Sequence, residues 1–349
     1  MVSFQGTMIR KPILIIGCPR SGTTLLYNVL SEVSTLWSIG MESKAIIERH
    51  HHPSEKGWAS GALTDEDLTP ASRDAILSAF WAAAAPGDFW RRVNRTRVWL
   101  RDNPAWRTIK RRGRTQQPGA AFGAAVPQLG VHLLSTLVRL GNRLRLDSNR
   151  PIRLLEKTPE NCLRLPFLLA LFPDAQIIYL IRNGPANVNS LMEGWRQPYL
   201  FPGYQVPEPV RIPGDERGRW AFTLIPGWRE LLDRPLEEVC AWQWIRCNEA
   251  VLDHREQTAG SVPYHTVHYE DLIAAPGDVL RGIADFIGVD YQKELSHSAG
   301  ELPRINVISA PDREKWRRQN PEAIRRILPL IRPTMARLGY PDLQAADGG

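Results

Sequence analysis

The sequence predicts an α/β protein, a three-layer fold with a central, mostly parallel sheet and helices on both faces. Three observations lead there. Short continuous apolar runs end at turn residues: Pro-Ile-Leu-Ile-Ile-Gly at 12–17 and Ala-Gln-Ile-Ile-Tyr-Leu-Ile at 175–181. Such runs are what strands buried on both faces look like. A helical pattern follows each; in 22–33, Leu25, Leu26, Val29 and Leu30 fall on one face. Strands separated by helices favour parallel pairing and a covered sheet.

Taken in order, the first strand is 12–17 and its helix 22–33. A weaker run at 152–155 predicts a second strand, 175–181 a third, and the alternating Val-Pro-Tyr-His-Thr-Val-His of 262–268 a fourth. Between the first two strands lie about 130 residues that do not read as βα units. There, 71–85 is predicted helical, 118–127 is a Gly/Ala/Pro-rich loop, and 129–146 is apolar at helical spacing with Arg139, Arg143 and Arg145. Residues 45–150 are therefore expected to form a large, helical, basic insertion. The Pro- and Gly-rich stretch 196–217 predicts a long loop of the kind that borders sites. Residues 220–244 are predicted helical, with Trp220, Trp228, Trp242 and Trp244, and 345–349 is predicted disordered. The 349 residues allow two domains at ~150 each, but one domain spanning 1–349 fits the pattern.

A hydrophobic content of 43% and a charged content of 23% exclude a wholly disordered, collagen-like or coiled-coil chain. No apolar run approaches the ~20 residues of a membrane span. The run behind Arg10 and Lys11 is shorter than the ~7–15 residues of a signal-peptide core. Four cysteines, at 18, 162, 240 and 247, show no CxxC spacing and predict reduced thiols in a cytoplasmic protein. The net charge of +7 is concentrated: residues 91–114 hold ten Lys/Arg and one acid, Asp102, leaving the remainder slightly acidic. With Trp90, Trp99 and Trp106 interleaved, that patch leaves open a peripheral contact with an anionic membrane; no specific nucleic-acid partner is expected.

The most informative segment is Gly17-Cys-Pro-Arg-Ser-Gly-Thr-Thr24, between a strand and a helix. Glycines let backbone N–H groups turn toward an anion, and the helix N-terminus adds favourable partial charge. Ser21, Gly22, Thr23 and Thr24 supply backbone and hydroxyl donors. The ATPase form of such a loop needs a lysine where Thr23 stands; here the cation is Arg20, whose fork fits phosphate or sulfate oxygens. The fold is thus expected to be P-loop-like. A second anion element follows the third strand: Arg182 at its carboxyl end, where open α/β sheets bind ligands, and Ser190 eight residues on.

The Pro-Arg-Ser-Gly-Thr-Thr loop, with Arg182 and Ser190 at this spacing, resembles the sulfotransferases that use 3′-phosphoadenosine 5′-phosphosulfate. In motif style the chain is closest to the tyrosylprotein and glycan types. The resemblance implies that the loop grips the 5′-phosphosulfate and that Arg182 and Ser190 hold the 3′-phosphate. It further implies cofactor contacts by Tyr269 of Tyr-Glu-Asp-Leu, by Lys315 of Lys-Trp, and by Ser309 just before it. Glu156-Lys157-Thr158-Pro159 resembles the lysine-bearing element of the same types. Gly40-Met-Glu-Ser43 resembles their Gly-Glu-Glu-Thr, which makes Glu42 the expected base, near the end of the helix that starts at the loop or just past it. Glu156 is the alternative base. Lys157 and Arg20 would stabilise the departing bridging oxygen.

Sulfuryl transfer needs positioning and charge neutralisation, which Lys and Arg can supply. No metal is expected, and His50-His51-His52 reads as a solvated loop. The expected function is sulfuryl transfer to a hydroxyl of a glycan, lipid or natural product, with the 45–150 insertion and the 196–217 loop shaping the acceptor site. Two other readings stay open: a P-loop kinase or nucleoside-triphosphatase with a degenerate loop, and a basic module that binds an anionic surface.

Overall fold

In the computed structural model, residues 9–93, 151–197, 200–201, 203–211, 218–300, 302 and 314–341 are described. The predicted 118–127 loop, the 129–146 helix, the 345–349 tail, most of the 91–114 patch and Ser309 lie outside them.

Six strands form one sheet: β1 (Ile13–Ile16), β2 (Trp37–Ser38), β3 (Ala85–Pro86), β4 (Leu154–Lys157), β5 (Gln176–Ile181) and β6 (Tyr264–His268). Their order is β3-β2-β4-β1-β5-β6, with only the β2–β3 pair antiparallel. The central strand β1 pairs with β4 through Ile13–Leu155 and with β5 through Ile13–Gln176. All four of its residues are fully buried, which explains why it reads as a continuous apolar run rather than an alternating one.

Side chains alternate between the two faces with the strand period. Ile13, Ile15, Leu155, Ile178, Leu180 and Val267 belong to one core, against α1 (Thr23–Leu30). Leu14, Ile16, Leu154, Ile177, Tyr179 and Ile181 belong to the other. Over that second face lie α2 (Pro70–Ala83), α3 (Leu165–Leu171), α4 (Gly184–Trp195) and α5 (Leu236–Gln257). After β6 come α6 (Tyr269–Ala274) and α7 (Pro276–Ile287), which completes the first face. The chain continues through α8 (Lys315–Gln319) and α9 (Pro321–Arg337), the latter packed on α4 and α5.

Three expectations are corrected. The stretch between the first two predicted strands contributes β2 and β3 to the sheet; at two residues each they leave no periodic signal to read. Residues 220–244 are not one helix. Trp220 bridges Tyr204, Pro226 and Gly227 (φ 79°) turn the chain, and the helix starts only at Leu236, after Pro235. The fully buried Trp220, Trp195 and Trp228 meet edge-to-face at 5.4 Å, so the tryptophans form a cluster gathered from separate segments. His51 is no solvated loop residue: its ring packs on the edge of Phe167 at 5.1 Å, and burial pushes its pKa down.

Candidate active site

Every parallel strand ends at a residue singled out from the sequence. β1 opens into 17–22, β2 leads to Glu42, β4 ends on Lys157, β5 precedes Arg182, and β6 precedes Tyr269. The carboxyl edge of an open sheet is where such folds bind ligands.

The loop after β1 is built from constraints that side chains would break. A Cβ on Gly17 would lie 2.4 Å from the Leu180 carbonyl oxygen of the adjacent strand. Gly22 adopts φ 107°, and a Cβ there would lie 2.5 Å from the Tyr269 ring. Arg20 itself sits at φ 69°, a left-handed conformation that costs an L-residue about 1–2 kcal/mol. That strain directs its side chain to the β5 side: Arg20 Nε donates to Ser190 Oγ at 3.3 Å, and the guanidinium lies 4.9 Å from the centre of the Phe201 ring. Arg182 Nη1 donates to the Arg20 carbonyl at 2.9 Å, and its guanidinium stacks on Tyr269 at 4.5 Å. Asn187 Nδ2 ties the loop down through the Pro19 carbonyl at 2.9 Å.

Burial, then the neighbouring Arg182 charge, pushes the Arg20 pKa below the ordinary guanidinium range; burial does the same to Arg182. Ser21 Oγ and Arg182 Nε are buried with no hydrogen-bond partner among the described residues. Two desolvated like charges, an unmatched hydroxyl and a helix N-terminus converge on one place. An anion with several oxygens satisfies all of them, so the phosphate groups of a nucleotide donor fit this donor set.

The β4 side differs. Lys157, 4% exposed, donates to Thr24 Oγ1 at 3.1 Å and to Glu42 Oε1 at 2.6 Å. Glu42 is 43% exposed, so the pair has one buried cation and one carboxylate open to incoming groups. Glu42 lies past β2 rather than near the end of α1, because α1 stops at Leu30 and the chain joins the sheet before reaching it. Tyr27 Oη accepts from the Gly40 N–H at 2.9 Å and fixes that turn.

Glu156 behaves otherwise. It is fully buried; Oε1 accepts from Ser43 Oγ at 2.7 Å and Oε2 from Asn161 Nδ2 at 2.9 Å. Burial raises its pKa against the pull of those bonds and of Lys157. With both oxygens engaged, it ties Ser43 to Asn161. Lys315 pairs with Glu193 Oε1 at 2.6 Å.

Sequence reasoning missed Phe201, Glu193, Tyr27 and Asn187. Glu193 alone had a usable signal, since it falls three residues after Ser190 on the same helix face.

Fold and site together define a P-loop-like α/β protein whose donor set at the sheet edge fits the oxygens of phosphate or sulfate groups. Residues 12–205 match the profile described as "Sulfotransferase family", and the chain belongs to that family of transferases. It is 24% identical over 204 residues to protein-tyrosine sulfotransferase 1 of Danio rerio, a match taking in 54% of this chain and 48% of the relative. It is 22% identical over 262 residues to protein-tyrosine sulfotransferase A of Caenorhabditis elegans, taking in 71% of this chain and 57% of the relative. The chain thus spans about half the length of these relatives. Among solved structures, a sulfotransferase domain from the curacin biosynthetic pathway aligns over 95% of this chain and 99% of its own, at 16% identity and a TM-score of 0.45.

Proposed function

We propose that the chain transfers a sulfuryl group from 3′-phosphoadenosine 5′-phosphosulfate to an acceptor hydroxyl. The observation that carries this reading is the pairing, on one sheet edge, of an anion cradle (Ser21, Arg20, Arg182, Ser190) with the Glu42–Lys157 pair.

In this reading the loop 17–24 holds the 5′-phosphosulfate, and Arg182 and Ser190 hold the 3′-phosphate. Tyr269, stacked on Arg182, fixes the latter's direction. Lys315, and Ser309 outside the described residues, would add contacts from the last segment. Glu42 accepts the acceptor's hydroxyl proton as the new O–S bond forms. The old S–O bond breaks in line, and its electron pair stays on the 5′-phosphate. Lys157 and Arg20 meet that growing charge from positions fixed before reaction. Since cations of the chain are placed to carry the charge, turnover in a chelator is the expectation.

The acceptor is an alcohol or phenol of a glycan, lipid or natural product. The two matched relatives are named for protein tyrosine, so a tyrosyl hydroxyl belongs in the same test panel. Met41, 47% exposed beside Glu42, and Leu200, 63% exposed beside Phe201, favour acceptors with an apolar part. Residues 91–114 would meet an acidic acceptor or an anionic membrane from the periphery. Among the described residues no helix is long and apolar enough to cross a membrane.

Thermal shift separates this reading from a nucleoside-triphosphatase. 3′-Phosphoadenosine 5′-phosphate should stabilise the protein strongly, and ATP with magnesium much less. The reverse order would discard the sulfotransferase assignment of the site.

A further inference from the structure

The cationic side of the site contains a carboxylate that its apparent task does not require. Glu193 follows Ser190 by three residues on α4, on the same helix face, and Ser190 is the group that Arg20 contacts. Its charge acts on both Arg20 and Arg182. Its two oxygens hold Lys315 Nζ at 2.6 and 2.7 Å, with the two side chains only 13% and 16% exposed. The helix bearing Lys315 is docked there independently: Asn189 Nδ2 donates to Gln319 Oε1 at 3.0 Å, and Asn320 Nδ2 to Asn189 Oδ1 at 2.6 Å.

A negative charge here repels a phosphate and occupies a cation that could bind one. We propose that Glu193 is an internal counter-anion of the donor site, a specificity-determining residue that competes with the nucleotide's 3′-phosphate for Lys315. The proposal rests on the donor reading above. The spent nucleotide keeps both phosphates when it loses the sulfuryl group. Three cations held wholly for it would make its departure slow. Glu193 gives Lys315 a carboxylate to return to, which offsets the charge that the departing phosphate uncovers. The exchange moves an ion pair and makes or breaks no covalent bond.

Calorimetry on the full chain tests this with 3′-phosphoadenosine 5′-phosphate and, as a control lacking the 3′-phosphate, adenosine 5′-monophosphate. Glu193→Gln is nearly isosteric. It should tighten the first ligand on the order of tenfold, since a like charge on the cationic side of the site is removed and its hold on Lys315 is weakened. It should change the second by a clearly smaller factor, because Glu193 reaches the 5′-phosphate loop only through Arg20, and it should steepen the ionic-strength dependence and lower kcat together with the donor KM. Glu193→Asp should restore wild-type behaviour. Unchanged or weaker binding of the bisphosphate by Glu193→Gln would overturn the proposal, leaving Glu193 as a positioning residue for Lys315. Lys315→Met gives an arm that does not depend on that variant folding: it should weaken only the bisphosphate, and equal affinities would also overturn the proposal. If the wild type binds neither nucleotide, the donor reading fails and this inference with it. If the wild type binds and Glu193→Gln matches it, only the inference fails.

Discussion

Two acids beside Lys157, Glu42 past β2 and Glu156 in β4, sit in different environments. Both are within reach of Lys157, yet only Glu42 keeps an oxygen open to incoming groups. Glu42→Gln keeps size but cannot take the proton. It should lower turnover by ~10²–10⁴-fold with nucleotide affinity retained, as steady-state rates and calorimetry would record. Glu156→Gln should stay active, because Asn161 Oδ1 has no partner and a flip of that amide would accept from the new N–H. Normal turnover in Glu42→Gln with a dead Glu156→Gln would exchange the two roles. The buried carboxyl also predicts a pH dependence. Its pKa is raised in the fold, so its contribution to stability is complete below the ordinary carboxylate range and is lost as pH rises through the raised value. Glu156→Gln does not titrate; its advantage over the wild type in urea unfolding should therefore grow from acid toward neutral pH.

The Arg20–Ser190 contact changes how the anion site is expected to respond to mutation. Read from sequence, the two residues serve different phosphates; in the fold their side chains touch. Arg20→Ala and Ser190→Ala should each weaken binding of 3′-phosphoadenosine 5′-phosphate. Their double mutant should then depart from additivity by about 0.5–3 kcal/mol in a calorimetric cycle.

The elements that carry this chemistry are loops whose shape is dictated by missing side chains. Gly22→Ala would force a Cβ against the Tyr269 ring and an L-residue into a left-handed conformation. It should cost about 1–2 kcal/mol in unfolding and loosen Arg182, seen as weaker nucleotide binding in the same titration. This loop was legible because strand, glycines, cation and hydroxyls are contiguous in sequence. So were β1 and β5, whose apolar runs are long enough to show a pattern, and β6, which alternates. β2 and β3 were not legible: two-residue strands are held by their neighbours' edges rather than by any periodicity of their own. The 220–244 stretch is not one helix because Pro226 and Pro235 break it, and its tryptophans pack across separate segments. Phe201 reaches Arg20 through tertiary contact alone, which no local pattern encodes.

On the scale of the whole molecule, topology gathers the site. Five parallel strands bring Arg20, Glu42, Lys157, Arg182 and Tyr269 from positions up to 249 residues apart to one edge of one sheet. No single element contains the site, so its integrity depends on the register of β4, β1 and β5. Family membership agrees with that arrangement, and the central claim built on both is sulfuryl transfer. Incubation of the full chain with donor labelled in its sulfuryl group, in a chelator and with a panel of glycan, lipid, natural-product and tyrosyl hydroxyls, tests it most directly. The account predicts label on an acceptor with the wild type and its loss in Glu42→Gln, while that variant still binds 3′-phosphoadenosine 5′-phosphate. Wild-type protein that neither binds that nucleotide nor transfers label, yet is stabilised by ATP with magnesium, would contradict it.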